Sequence, residues 1–258
     1  MLESTSFLYD NIHSSDMGVI NCKVDSGLFD EGFLPSRTII EEKIAGREKP
    51  YFTGFEYEPF EFSMTLFFED GMSKNKRRSV ARWLLPVYYK PLIFDSNPSR
   101  MFYCMYHGDS RLLHNGLEQG YVTITMRCDS PFSYTQYYST DIYDLSNNTI
   151  NGTEISIKNY GDDICKPDIY IEKVDDGDIS IINYSDSGRE FKITNILDGD
   201  ILNIDNENEQ IETDISGSFN YKNHNNIYLR LLPYSQNRLK IYGKCKIQFK
   251  YQFKLFQG

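Results

Sequence analysis

Cys104 and His107 stand at C-x-x-H spacing in the run Met101-Phe-Tyr-Cys-Met-Tyr-His107, an arrangement that can grip zinc. The run is rich in aromatics, so it reads as a strand. On a strand, residues three apart point to opposite faces, and the pair cannot close on one ion. Two acidic clusters, Asp175-Asp-Gly-Asp178 and Asp198-Gly-Asp200, carry the oxygens that calcium prefers. Neither places its glycine and a terminal glutamate at the offsets an EF-hand loop requires, and Asp-Gly turns between strands account for both. Histidine is scarce: His13, His107, His114 and His224 are the only four. A nucleophile triad or a histidine-rich metal centre therefore has few candidates. The chain lacks the phosphate-binding, dinucleotide-binding and zinc-protease motifs and the serine elbow. No carboxylate pair stands out as a glycosidase couple. The expectation is a protein with no catalytic residues, no metal and no cofactor.

The elements that would position any site are mostly strands. The 258 residues include two alanines, Ala45 and Ala81, against 20 Tyr and 17 Phe. Alanine favours helices and aromatics favour strands. From Pro59 to Glu69, Phe60, Phe62, Met64, Leu66 and Phe68 alternate with more polar residues, a strand with one buried face. Ser73 to Leu85 is the one convincing helix. Ser73 can cap it, Val80, Trp83 and Leu84 share a face, and Pro86 ends it. Its Lys74, Lys76, Arg77, Arg78 and Arg82 form a solvated basic side. Further strands are expected at Tyr88–Phe94, Met101–Tyr106 and Tyr121–Cys128. His107-Gly-Asp-Ser and His114-Asn-Gly read as turns between them.

After Phe132 the texture changes to polar turn clusters, which places a domain boundary near residue 136. The domains are then 1–136, holding the helix at 73–85, and 137–258. In the second, short strands are expected at Glu154–Lys158, Asp168–Lys173, Ile179–Asn183, Glu190–Thr194, Ile201–Ile204 and Ile227–Leu232. Asp-Gly and Ser-Gly turns, Ser216-Gly among them, separate these strands. From Leu239 to Leu255 every odd position is apolar or small and many even positions are lysine. A straight strand of that length would reach roughly 55 Å at about 3.3 Å per residue. It is expected to bend at Gly243 without changing its buried face.

Composition also bounds the partners. The net charge is −10, which argues against a dedicated nucleic-acid binder. No apolar stretch is long enough to span a membrane as a helix. Met1-Leu2-Glu3-Ser4 has no basic and apolar leader pattern, so no secretory signal is expected. Asn147, Asn151 and Asn183 match glycosylation sequons that would then go unused. Five widely spaced cysteines read as reduced, mostly buried thiols. The charge is unevenly spread. Residues 1–140 hold 14 basic and 18 acidic residues, residues 141–214 hold 5 and 19, and residues 215–258 hold 8 and none. The lysine-rich end is a candidate surface for an acidic partner, through Lys244, Lys246 and Lys250. It can equally be solvated or face the chain's own acids.

Several segments taken together resemble the distal tail protein (Dit) family of long non-contractile-tailed bacteriophages. In the first domain they are Arg47-Glu-Lys-Pro-Tyr-Phe-Thr-Gly54, Glu58-Pro-Phe-Glu-Phe-Ser-Met-Thr-Leu66 and the helix Arg78-Ser-Val-Ala-Arg-Trp-Leu84. A closing strand follows that ends in Cys128-Asp-Ser-Pro131. In the second they are Leu197-Asp-Gly-Asp-Ile-Leu-Asn-Ile-Asp205 and Leu232-Pro-Tyr-Ser-Gln-Asn-Arg-Leu-Lys-Ile241. The family's Pro-Gly turn is Pro233-Tyr234 here, so that turn must differ.

The resemblance implies a mainly β protein of two β-sandwich domains. The first would carry one α-helix and a hairpin arm, and the second would be galectin-like. It implies a structural hub of a virion tail tip or baseplate, made in the bacterial host cytoplasm and not an enzyme. Six copies would close into a hexameric ring. The ring would join the tail tube protein to a tail-associated lysin-like tip protein and to the receptor-binding apparatus. Interfaces favour Arg and aromatic residues, which singles out Arg47, Tyr51, Phe52 and Phe55 on the arm as oligomer contacts. Their alternative is the sandwich core. The alternative function is a carbohydrate-binding module, with Tyr221, Tyr228 and Tyr242 as stacking platforms. His107, His114 and Trp83 are the other lectin-like candidates, although Trp83 is expected in the core.

Overall fold

A computed structural model describes residues 3–23, 32, 34–115, 117–214 and 221–256. Gly116 and the Ser216-Gly turn lie outside the described residues. The protein is mainly β, with one α-helix among the described residues. The chain divides into two compact units, Met1–Thr135 with Phe256–Gly258, and Gln136–Leu255.

In the first unit the strands run across one sheet in the order Ile12–His13, Phe7–Tyr9, Lys90–Phe94, Met101–His114, Gly120–Cys128, Glu61–Phe68, Val19–Cys22. The sheet curls until its ends approach. Near the far end strand, the Asn21 amide N–H donates to the Thr5 carbonyl at 2.8 Å, and its side chain donates to Ser4. Alternation in Glu61–Phe68 buries Phe62, Met64, Leu66 and Phe68 as the sequence pattern requires. The helix Lys74–Leu84 closes over that apolar face. Ser73 caps it by accepting from the Lys76 N–H at 3.3 Å, and Val80, Trp83 and Leu84 are buried. Trp83 stacks on Phe7 at 5.7 Å, meets Tyr9 edge-on at 5.9 Å and donates its indole N–H to the Tyr9 carbonyl at 2.9 Å.

His107-Gly-Asp-Ser is not a turn. It lies inside the strand Met101–His114, which continues through a register shift between His107 and Arg111. Gly108 supplies the positive φ of +79° at this irregularity. A bulge and a turn demand the same backbone freedom, so their residue signatures coincide.

The second unit is a sandwich of two sheets over one core. One sheet has the order Tyr138–Ser139, Cys245–Tyr251, Asp168–Lys173, Ile201–Asp205, Gln210–Thr213. The other runs Thr153–Lys158, Gln236–Tyr242, Gly177–Asn183, Arg189–Ile196. The long apolar-and-lysine run does bend at Gly243, and the bend transfers the chain from one sheet to the other. Leu239 and Ile241 before it, and Cys245, Ile247 and Phe249 after it, enter the same core. Gly243 sits at φ +91°, and a Cβ there would run into the Asp178 carbonyl oxygen. Asn148 braces the crossing by donating to the carbonyls of Ile241 and Gly243, each at 2.9 Å.

Ile227–Leu232 is not a strand. It makes one isolated bridge, between Cys165 and Leu231. Fully buried asparagines take the place of strand neighbours. Asn206 accepts from Leu229 N–H at 2.8 Å, and Asn237 accepts from Leu232 N–H at 2.8 Å. Asn183 donates to the Arg230 carbonyl at 2.9 Å, and Asn159 donates to the Leu231 carbonyl at 3.1 Å. A buried backbone needs partners, and an amide offers both donor and acceptor. Asn183, one of the sequon residues, is thus committed to the core.

Candidate functional site

Among the described residues, the strands Arg37–Glu42 and Tyr51–Tyr57 pair only with each other, forming a hairpin apart from the main sheets. The arm is built by register. Ile39 opposes Phe55, Glu41 opposes Phe52 and Glu42 opposes Tyr51, with a shift between Ile40 and Glu41. The shift leaves Thr53 unpaired, so Phe52 and Phe55 share the face of Glu41 and Ile39, while Tyr51 lies on the other face with Glu42 and Ile40. Phe52 is 67% exposed, Tyr51 48% and Phe55 44%. Ile39, Ile40 and Ile44 are exposed with them. Within the chain these aromatics are therefore not core. A cation partly covers an aromatic on each face, with the Arg47 guanidinium 4.4 Å above the Tyr51 ring and Arg37 5.3 Å above Phe55. The base is anchored where Phe55 meets Tyr57 edge-on at 5.1 Å and Tyr57 meets Phe132 at 5.5 Å. A lone two-stranded ribbon is marginal in water, and this one carries aromatics on both faces.

The basic strand face meets the unit's own acids. Lys246 pairs with Glu172 at 2.7 Å, Lys244 pairs with Asp175, and Lys250 lies 4.4 Å above the Tyr137 ring. Each pairing bridges segments that are acidic or basic in sequence, so the polarised charge of the second unit is largely internal.

The two Asp-Gly clusters lash neighbouring turns together. The Asp175 N–H donates to the Asp198 carboxylate at 2.8 Å, and the Asp198 N–H donates to the Asp176 carboxylate at 2.8 Å. Beneath them Lys173, 3% exposed, donates its ammonium to the carbonyls of Val174, Asp175 and Lys244. Burial lowers the pKa of this lysine. Among the described residues no group of three His, Cys, Asp or Glu side chains could hold a metal ion. Cys104 is buried and His107 exposed, on opposite faces as strand alternation requires. Burial pushes the Cys165 thiol up to about 12 and Cys245 up to about 11, so both stay protonated.

The three tyrosines considered as sugar platforms do not form one. Tyr228 is buried, packs against Phe191 and His224, and donates to the Glu209 carbonyl at 2.6 Å. Tyr242 lies in the four-stranded sheet, whereas Tyr221 lies in a short 3-10 turn with its hydroxyl at Ile211. The signal that misleads is residue type. Tyr is amphipathic, and type alone does not say which end faces water.

His224 is a group the sequence does not mark. It is 5% exposed, lies 5.0 Å from the Phe191 ring and 4.7 Å from Tyr228, and neither ring nitrogen has a hydrogen-bond partner. Burial holds its pKa below the ordinary histidine value, with the Ile227 backbone opposing in part. The unfolded chain therefore binds a proton more readily than the folded one. Stability is complete above the unfolded pKa of about 6.5 and falls as pH drops below it. We expect acidification from neutral pH to lower the melting temperature of the protein, and His224→Phe to flatten that dependence. Equal pH profiles for the two proteins in a calorimetric series would refute this.

Comparison with known proteins places these features. Residues 2–130 match the family model described as Phage tail protein N-terminal domain, and residues 122–251 match the one described as Phage tail C-terminal domain. The SPbeta prophage-derived uncharacterized protein YomH of Bacillus subtilis (strain 168) is 32% identical over 252 residues, spanning 98% of each chain. Among solved structures, the Dit protein (gp 19.1) of phage SPP1, described as a paradigm of hub adsorption apparatus in Gram-positive infecting phages, superposes with a TM-score of 0.67. It is 18% identical, covering 96% of this chain and 98% of that one. A chain of the phage P2 baseplate in its activated conformation with Ca has a TM-score of 0.57 at 10% identity, covering 96% and 98%. At these identities the structural likeness is one of fold.

Proposed function

Because the chain belongs to the phage tail protein family that its sequence matches over both halves, we propose that it is the structural hub of a tail tip. In this reading six copies close into a ring. One face of the ring receives the tail tube protein. The other carries a lysin-like tail-tip protein and the receptor-binding apparatus. The protein is made in the host cytoplasm, ends in the virion tail tip and catalyses nothing. The second unit, read as galectin-like on its two-sheet architecture, projects toward the adsorption apparatus.

The observation that carries this reading is the arm. Its ribbon shows aromatics on both faces and, among the described residues, no third strand, which suits insertion between subunits. In a ring each copy gives one surface and receives through another, a heterologous contact that closes. Arg47, Tyr51, Phe52 and Phe55 are the proposed contacts. Lys244 and Lys246, paired with acids, and Lys250, over the Tyr137 ring, take no part in it. Native mass spectrometry of the full chain, with negative-stain images of the same sample, tests the reading. A six-copy ring or a stacked pair of rings is expected. Monomer alone at high concentration, with no ring in the images, would overturn it.

A further inference from the structure

The strand Asp168–Lys173 lies at the centre of its sheet, between Cys245–Tyr251 on one side and Ile201–Asp205 and Gln210–Thr213 on the other. Register aligns Gln248, Tyr170, Asn203 and Glu212 in one row across these four strands. Their neighbours along each strand, such as Ile169, Ile204 and Phe249, are buried in the core. The row therefore stands on the outward face. A depression of about 450 Å³ lies over this row and the adjoining Asp168, Asp205 and Lys250.

That volume falls in the range of roughly 300–1,000 Å³ typical of small-ligand sites. At its centre is one aromatic ring, Tyr170, flanked by an amide on each side. The Gln248 amide is oriented, since its Nε2 donates to the Thr140 carbonyl at 2.7 Å, which leaves its oxygen to accept. Amides and carboxylates side by side offer both donors and acceptors, as a polyol needs. A flat ring among them suits the apolar face of a sugar. Asp168 and Asp205 are like charges on adjoining strands, and burial, followed by the Asp205 charge, raises the pKa of the Asp168 carboxyl. Three carboxylates against Lys250 would repel an anionic glycan.

We propose that this face binds an uncharged saccharide, with one ring laid on Tyr170 and its hydroxyls held by Asn203, Gln248 and Glu212. The site is independent of ring assembly, so a chain that fails to oligomerise can still bind, and the reverse.

The test is an array of neutral oligosaccharides of glucose, galactose, mannose and N-acetylglucosamine, with sialylated and sulfated counterparts, probed with the full-length protein. Any hit is followed by calorimetric titration of variants. Binding to a neutral glycan is expected. Tyr170→Ala and Asn203→Ala should each weaken it by about tenfold or more, while Tyr170→Phe and Tyr221→Ala should retain it. Asn203 is exposed, so Asn203→Ala keeps the test decisive should Tyr170→Ala fail to fold. No neutral binding at millimolar sugar, binding confined to anionic glycans, or a hit indifferent to Asn203→Ala would each overturn the proposal.

Discussion

Replacing Phe52 and Phe55 together by glutamate is expected to abolish ring assembly while leaving both units folded. The two side chains share one face of the arm ribbon and are 67% and 44% exposed in the single chain. Their loss removes nothing from either core, so thermal unfolding of the monomer should be nearly unchanged. In an interface each would bury an aromatic side chain, worth about 1.5–3 kcal/mol by transfer. Two together amount to roughly a hundredfold or more in the contact constant, repeated at every contact of the ring, and each glutamate adds a buried charge. Native mass spectrometry reads the outcome directly. A ring that persists in the double variant would show that the arm is not the contact.

Trp83→Ala is expected to cost about 3–5 kcal/mol of stability, the usual range for removing a large buried aromatic. The indole fills the space between helix and sheet, stacked on Phe7 and edge-on to Tyr9. Its N–H also satisfies the Tyr9 carbonyl, which alanine would leave unpaired at that site. Trp83→Phe should cost less, since it keeps most of the packing and loses only the donor. Urea unfolding followed by circular dichroism separates the two, because Trp83 is the chain's only tryptophan and its fluorescence is lost in both. A loss below about 1 kcal/mol in Trp83→Ala would mean the helix is not held by this contact.

Legibility in the sequence followed how local each cause was. The helix was readable because a capping serine, a shared apolar face and a stopping proline all lie within one short segment. The clean strands were readable because alternation is a property of neighbours. The short strands Phe7–Tyr9 and Val19–Cys22 escaped notice, since three or four residues carry too little pattern to separate from a loop. Ile227–Leu232 misled in the other direction. Tyr228, Leu229 and Leu231 are buried, as in a strand, but its hydrogen bonds come from asparagines that are distant in sequence.

The candidate sites divide in the same way. The arm's residue types pointed to an interface before its geometry was known, and the fold supplied the missing fact that they are uncovered. The Tyr170 row was invisible, because Gln248, Tyr170, Asn203 and Glu212 become neighbours only through strand register. For the lysines near the end of the chain the sequence leaves a partner surface, solvation and internal pairing open, because the carboxylates that meet Lys244 and Lys246 are remote along the chain.

By itself the sequence determined a mainly β chain with one helix, the bend at Gly243, the buried thiols and a phage tail resemblance. These rest on composition, period and short-range chemistry, which act along the chain. Tertiary structure decided which tyrosines face water, which charges are already paired and where a depression opens. Those depend on which strands lie side by side, and pairing across a sheet is set by the packing of the whole core.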